Sequence, residues 1–266
     1  MPDCKPDLDQ LDDQGYTIVP GFMDRGLTSR ARQHVDSLLP PIALPEQQVE
    51  RRIHTLRHPI PGPIMADLIT QTALHETAVQ ILHGDQLRLL EQVLMRSDPR
   101  PPPHGPLGWH VDFAFLPEHY QAQPRQVYFQ MITSLNTVEP GCAPFMIVPG
   151  SHHLTYAASQ RLGSLDALEP LKKDPAGVAG IDIDKGIEIR PHEGDLLIFN
   201  PMCLHSGSDN ATDQPRYVYF ASFFPWTATY LQEQLWRTYR GTPMLEDFSD
   251  DLRNGLPPQQ RYLLDW

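Results

Sequence analysis

Two stretches, Gly194–Asn200 (GDLLIFN) and Arg216–Phe224 (RYVYFASFF), decide the fold. Each is short, rich in β-branched and aromatic residues, and bounded by turn formers, so each reads as a strand. The same pattern recurs upstream in Trp109–Phe115 (WHVDFAF), Gln126–Leu135 (QVYFQMITSL), Phe145–Gly150 (FMIVPG) and Gly186–Pro191 (GIEIRP), and Leu87–Met95 is strand-like as well. A parallel α/β protein needs a helix between most of its strands. Here the intervals are mainly Pro, Gly and polar loops, such as the 98–108 stretch DPRPPPHGPLG, which points to an antiparallel sandwich or barrel.

The flanks differ from this centre. Gly15–Pro20 reads as a short strand. Asp24 is placed to cap a helix running to about Leu39, and Pro63–His83 carries a helical apolar face ended by Gly84. The 227–240 stretch reads as a final helix, and 241–266 as a mixed polar tail. The expectation is one domain over residues 1–266: helix-rich to 84, a β core from about 85 to 225, and a C-terminal helix and tail from 226. The basic stretch before Pro63, with Arg51, Arg52, Arg57 and His58, reads as a surface loop or an anion-binding lid.

Composition bounds the function. The 266 residues carry 21 Lys and Arg against 33 Asp and Glu, a formal charge of −12, and no Lys/Arg run stands out. Nucleic acid and anionic membrane are therefore disfavoured as partners. No apolar stretch approaches the roughly 20 residues needed to cross a bilayer. The acidic N-terminus is no secretory signal, and the three Cys form no disulfide framework. A cytoplasmic setting is expected. Pro is abundant, at 28 residues, and twelve His outnumber the Cys, so any metal site should be built from His and carboxylate.

His110 and Asp112 stand two apart, which in an extended chain turns both side chains to one face. One imidazole and one carboxylate are two thirds of a facial triad for non-haem iron. His205, just after the GDLLIFN strand, is the best third ligand. Arg216 opens the last strand and could set a guanidinium inside a barrel, where it would need an anion, either a structural carboxylate or a bound ligand.

These motifs in order, together with Gly15–Phe22 (GYTIVPGF), Val148–His152 (VPGSH) and His205–Arg216 (HSGSDNATDQPR), resemble the phytanoyl-CoA dioxygenase-like family of Fe(II)/2-oxoglutarate-dependent oxygenases. The similarity covers most of residues 11–225. It implies a double-stranded β-helix (jelly roll, cupin-like) with flanking helices. It also implies Fe(II) held by His110, Asp112 and His205, 2-oxoglutarate anchored by Arg216 with help from Gln92, and O2 as second cosubstrate. Asn210 is expected to shape the loop after His205, and Pro149–His152 to form a structural turn. Two departures stand out. Pro140–Ala143 (PGCA) replaces the usual Asn-Gly, and Arg96–Pro101 (RSDPRP) replaces a Lys-Pro-Pro-Gly-like stretch. Asp112 stands where halogenating relatives have Ala or Gly, so halogenation is not expected.

The implied reaction oxidises an unactivated C–H bond of a small organic substrate, by hydroxylation or by desaturation, epoxidation or cyclisation, with succinate and CO2 released. A non-catalytic jelly-roll binding module is the alternative. From the residues, Tyr128 and Gln130 share a strand face and join the substrate-pocket candidates, with Trp226 at the strand's end and Arg57 from the basic stretch. Phe113 and Phe115 alternate away from Asp112 and read as core. Monomer and homodimer both stay open.

Overall fold

Asp7 and Asp24 each turn a carboxylate onto the first free N–H groups of a helix, capping α1 (Leu8–Gln14) and α2 (Arg25–Leu38). α1 ends at Gly15, whose φ of +77° suits glycine; a Cβ there would lie 2.1 Å from the Cys203 sulfur. The computed structural model describes residues 5–112, 115–162, 168–229, 231–233 and 248–265.

The remaining elements follow in chain order. They are β1 (Tyr16–Val19), β2 (Ile53–Arg57), α3 (Ile64–Thr70), α4 (Leu74–Leu82), β3 (Leu87–Ser97), α5 (Pro117–Gln121), β4 (Phe129–Ser134) and β5 (Phe145–Ile147). Then come α6 (Ser151–Leu162), α7 (Leu168–Lys173), α8 (Pro175–Ala179), β6 (Ile187–Ile189), β7 (Leu196–Phe199), β8 (His205–Ser206) and β9 (Arg216–Pro225). A short helix, Asp250–Gly255, and a 3-10 segment, Pro258–Leu264, close the described chain.

The strands form a six-stranded sheet, in the order β1-β7-β4-β9-β3-β2, and a three-stranded sheet, β6-β5-β8. All pairings are antiparallel. The two sheets face each other across Ile132, Leu197, Phe199 and Val218 on one side and Phe145, Ile147 and Ile189 on the other. This is the jelly roll. The large sheet's outer face packs on helices through a bigger apolar cluster that includes Leu27, Val35, Met65, Leu68, Leu94 and Tyr219. Each such side chain fully removed from water contributes about 1.5–3 kcal/mol.

Several expectations change. The 63–83 helix is two helices, α3 and α4, broken where the Thr72 hydroxyl donates back to the Leu68 carbonyl. The basic 46–62 stretch is not a plain loop: Ile53–Arg57 pairs with Val93–Ser97 as an edge strand. The polar 152–185 interval holds α6, α7 and α8. Trp109–Asp112 is not a strand; His110 makes an isolated bridge to His205. Phe113 and most of the 227–240 helix lie outside the described residues, and within that stretch 231–233 are helical. Phe115 is buried core, as expected. No helix among the described residues is long and apolar enough to cross a membrane.

Candidate metal centre

His205 arrives through a tight turn after β7. Its backbone N–H and C=O both bond His110, each at 2.9 Å, while the Asp112 N–H is fixed on the Pro201 carbonyl at 3.0 Å. This backbone clasp, rather than a shared strand, brings the three side chains to one point. His110, Asp112 and His205 present ligand atoms within 4.8 Å of one another. Asp112 Oδ1 lies 3.8 Å from His110 Nε2 and 3.6 Å from His205 Nε2. An octahedral ion with bonds of about 2.1 Å has edges of about 3 Å, so a small contraction would seat one.

The tautomers suit that role. His110 Nδ1 lies 2.9 Å from the Gly108 carbonyl and His205 Nδ1 2.8 Å from the Cys203 carbonyl. A carbonyl only accepts, so each Nδ1 carries the proton and each Nε2 lone pair faces Asp112. Burial, helped by the neighbouring His205, lowers the His110 pKa. Burial alone would raise the Asp112 carboxyl, but His205, His110 and the Gln130 amide outweigh it and hold it below its usual range. Neutral imidazole and ionised carboxylate are the forms a metal takes.

The cluster opens into a cavity of about 280 Å³ between the sheets, lined also by Arg57, Glu91, Gln130, Phe199, Arg216 and Phe220. Arg216 is buried, and among the described residues no hydrogen bond or ion pair reaches its side chain; its Nε has no acceptor. Burial pulls its pKa down to about 10. A guanidinium buried without a partner is costly unless an anionic ligand completes it. Three ready donors and an unmatched cation on one cavity wall thus fit a divalent ion chelated by a dicarboxylate.

Gln130 enters the cavity as expected. Its Nε2 donates to Asp112 Oδ2 at 3.4 Å and to Glu91 Oε1 at 3.2 Å, and its Oε1 accepts from the Ser222 hydroxyl at 2.8 Å. Arg57 also lines it, donating to Glu91 Oε2 at 3.2 Å. Burial pushes the Glu91 carboxyl up, partly offset by Arg57 and Gln130.

Three proposed positions fall elsewhere. Gln92 faces the helices, donating to the Met65 carbonyl at 2.9 Å and the Tyr219 hydroxyl at 2.7 Å. The cause is a bulge: Leu89 pairs with Phe223 but Glu91 with Ser222, so Leu90 is an extra residue that inverts the alternation. Glu91 takes the inward place, and the Leu89-Leu90 pair in the sequence was the available signal. Tyr128 precedes β4, escapes its alternation, and packs edge-on to Phe115 at 5.8 Å. Trp226 lies beyond β9 under the Arg88 guanidinium, 4.6 Å from its ring centre. Asn210 shapes its loop as expected, donating to the Ser97 and Gln214 carbonyls.

Fold and donor set together define a class, the enzymes that work with non-haem iron and 2-oxoglutarate on a jelly-roll scaffold. Within it, the family model for phytanoyl-CoA dioxygenase (PhyH) matches residues 11–218, and the chain belongs to that family. It is an Fe(II)/2-oxoglutarate-dependent dioxygenase, with iron as cofactor and 2-oxoglutarate and O2 as cosubstrates. No curated protein sequence matches the chain. Among solved structures, HygX from Streptomyces hygroscopicus, with nickel, 2-oxoglutarate and hygromycin B bound, superposes with a TM-score of 0.57 at 17% identity, covering 83% of this chain and 86% of that one. EvdO2 from Micromonospora carbonacea var. aurantiaca, complexed with 2-oxoglutarate, gives 0.55 at 17%, covering 82% and 89%. SnoN, a non-haem α-ketoglutarate-dependent epimerase from nogalamycin biosynthesis, gives 0.57 at 19%, covering 82% and 81%. At these identities the likeness concerns the fold.

Proposed function

We propose that the enzyme oxidises a C–H bond of a small organic molecule, by hydroxylation, in the cavity above His110, Asp112 and His205. The observation that carries this reading is the convergence of two Nε2 atoms and one carboxylate on a cavity that also holds the unpaired Arg216. In this reading His110, Asp112 and His205 hold the iron, and Arg216 receives the far carboxylate of 2-oxoglutarate through a charge-assisted fork. Iron and cosubstrate supply the oxidising chemistry, with succinate and CO2 as co-products.

The chain's own residues do the rest. The Gly108 and Cys203 carbonyls fix the imidazole tautomers. Gln130 holds the outer oxygen of Asp112, leaving the inner one for the ion. Val93, Met95, Ile132 and Phe220 give the cavity an apolar wall, which keeps bulk water from the reacting centre and orients the substrate. A reducing, cytoplasmic setting suits the unpaired, buried Cys142 and Cys203.

The test is anaerobic loading with Fe(II) and 2-oxoglutarate, then exposure to O2 with candidate metabolites. His110→Ala and Asp112→Ala should abolish substrate-dependent succinate formation; turnover equal to wild type would sink the ligand assignment. The same fold hosts the epimerase SnoN, so the product's mass decides the outcome. A gain of one oxygen with the substrate's unsaturation intact supports hydroxylation. A gain with a lost double bond replaces it with epoxidation, loss of two hydrogens with desaturation or cyclisation, and an unchanged mass with isomerisation.

A further inference from the structure

Along β3 and β9, Ser97 pairs with Arg216 and Glu91 with Ser222, so the two polar ends of the cavity stand about 20 Å apart along the strands. If Arg216 takes the cosubstrate, as the proposed function holds, the end at Glu91, Ser222 and Gln130 is left for the substrate. Its charges are unequally fixed. Glu91 is set into the wall with its side chain 11% exposed, whereas its counter-ion Arg57 is 51% exposed on an edge strand. Each Glu91 oxygen accepts one bond, from Gln130 and Arg57, and a carboxylate oxygen can accept two.

This asymmetry selects the ligand. Arg57 is already half in water and can swing out when another cation takes over its place on Glu91, so that the buried carboxylate is never left alone. Glu91 cannot leave. An incoming cation can therefore replace Arg57, while an incoming carboxylate has no comparable partner to replace and would meet Glu91 and Asp112. The loaded centre is near neutral, since two charges of the ion, two of 2-oxoglutarate, Asp112 and Arg216 cancel. A buried carboxylate then remains whose resting cation is the exchangeable one.

We propose that Glu91 is the specificity-determining residue of the substrate end, and that it binds a protonated amine on the substrate, with Arg57 as the resting counter-ion that the amine displaces. The substrate class is thus a small molecule with a basic amine and an apolar body, the latter lying against Val93, Met95 and Phe220. Gln130 ties this end to Asp112, so substrate reading and metal ligation share one side chain.

Three ring-matched probes test this on the full chain loaded anaerobically with Fe(II) and 2-oxoglutarate: cyclohexylmethylamine, cyclohexylmethanol and cyclohexanecarboxylate. Dissociation constants come from calorimetry, and loading from the visible charge-transfer band of iron-bound 2-oxoglutarate. The amine should bind on the order of tenfold tighter than the alcohol. Glu91→Gln should erase that preference, and Arg57→Gln, which removes the competing cation, should tighten the amine. Equal or better binding of the alcohol or carboxylate to wild type overturns the proposal, as does amine binding that Arg57→Gln leaves unchanged or weakens. The Arg57 arm decides should Glu91→Gln not fold. Absence of the charge-transfer band sinks the ligand assignment instead, and the probe preference is still read on the unloaded chain.

Discussion

The two faces of the large sheet treat the same side-chain types in opposite ways. Arg96 and Arg216 sit one register step apart on β3 and β9. Arg96, on the helix face, gives Nε to Asp98 at 2.7 Å, one terminal nitrogen to Asp36 at 2.9 Å and the other to the Pro40 carbonyl at 2.7 Å. Arg216, on the cavity face, has no such partner among the described residues. Gln92 spends its amide on the Met65 carbonyl and the Tyr219 hydroxyl, whereas Gln130 holds Asp112 and Glu91. His152, away from the cavity, faces the Asp12 carbonyl and the Cys203 thiol, whereas His110 and His205 keep Nε2 free of backbone partners. Arg96, Gln92 and His152 are satisfied by the protein; the Arg216 guanidinium and the two triad Nε2 atoms on the cavity face await something else. A buried guanidinium with no partner beside ready metal donors in one cavity is a mark of a ligand site.

The arginine pair gives the largest contrast. Arg96→Met should cost about 3 kcal/mol of stability, because buried Asp98 loses its guanidinium and keeps only the Ala43 N–H and the His54 ring, while 2-oxoglutarate affinity of the folded protein stays as in wild type. Arg216→Met should leave stability unchanged or raised, because it removes an uncompensated buried charge, and weaken 2-oxoglutarate on the order of a hundredfold. Urea unfolding and cosubstrate titration read the two halves. Loss of stability in both variants, with affinity falling equally, would erase the distinction between the faces.

His152 comes next. Burial, with His153 beside it, lowers its pKa from 6.5 to about 4. Between those values the unfolded chain binds a proton that the folded one refuses, so stability is fully present above pH 6.5 and is lost as pH falls through 4, by about 3 kcal/mol. His152→Gln should flatten the stability profile over this window by close to one proton. An equally steep slope in the variant would show that the proton is taken up elsewhere.

The sequence shows much of this contrast, but unevenly. The jelly roll is legible because short apolar runs separated by Pro and Gly leave no room for crossover helices. The triad is legible because His110 and Asp112 keep the i, i+2 spacing, although the stretch is a bridge clasped to His205 and not a strand. Arg216 was readable as a cation needing an anion, since it opens a strand of otherwise apolar and aromatic residues. Glu91 was not, because the bulge at Leu90 inverts the alternation and sends Gln92 to the wrong face for a ligand. Tyr128 and Trp226 fail for a related reason: each lies just outside its strand, where parity no longer dictates direction. Only the three-dimensional pairing reveals Arg57, placed in a loop by its polar surroundings, as part of an edge strand beside Glu91.

The glutamines set the finest test of the comparison. Gln130→Leu removes the donor to Asp112 Oδ2 and the acceptor for Ser222, both on the cavity face. Outer partners of metal ligands typically contribute 10–100-fold to metal affinity, so Fe(II) should bind that much more weakly, beside a stability loss of about 1–3 kcal/mol from leaving the buried Ser222 hydroxyl and Glu91 short of a partner. Gln92→Leu removes two hydrogen bonds on the helix face and leaves the Tyr219 hydroxyl short of a partner. It should cost about 1–3 kcal/mol and leave Fe(II) and 2-oxoglutarate affinities as they are. Glutamines two strand neighbours apart would then both answer to unfolding, and only Gln130 to the metal titration. Reduced cosubstrate affinity in Gln92→Leu would instead return that residue to the site from which the bulge removes it.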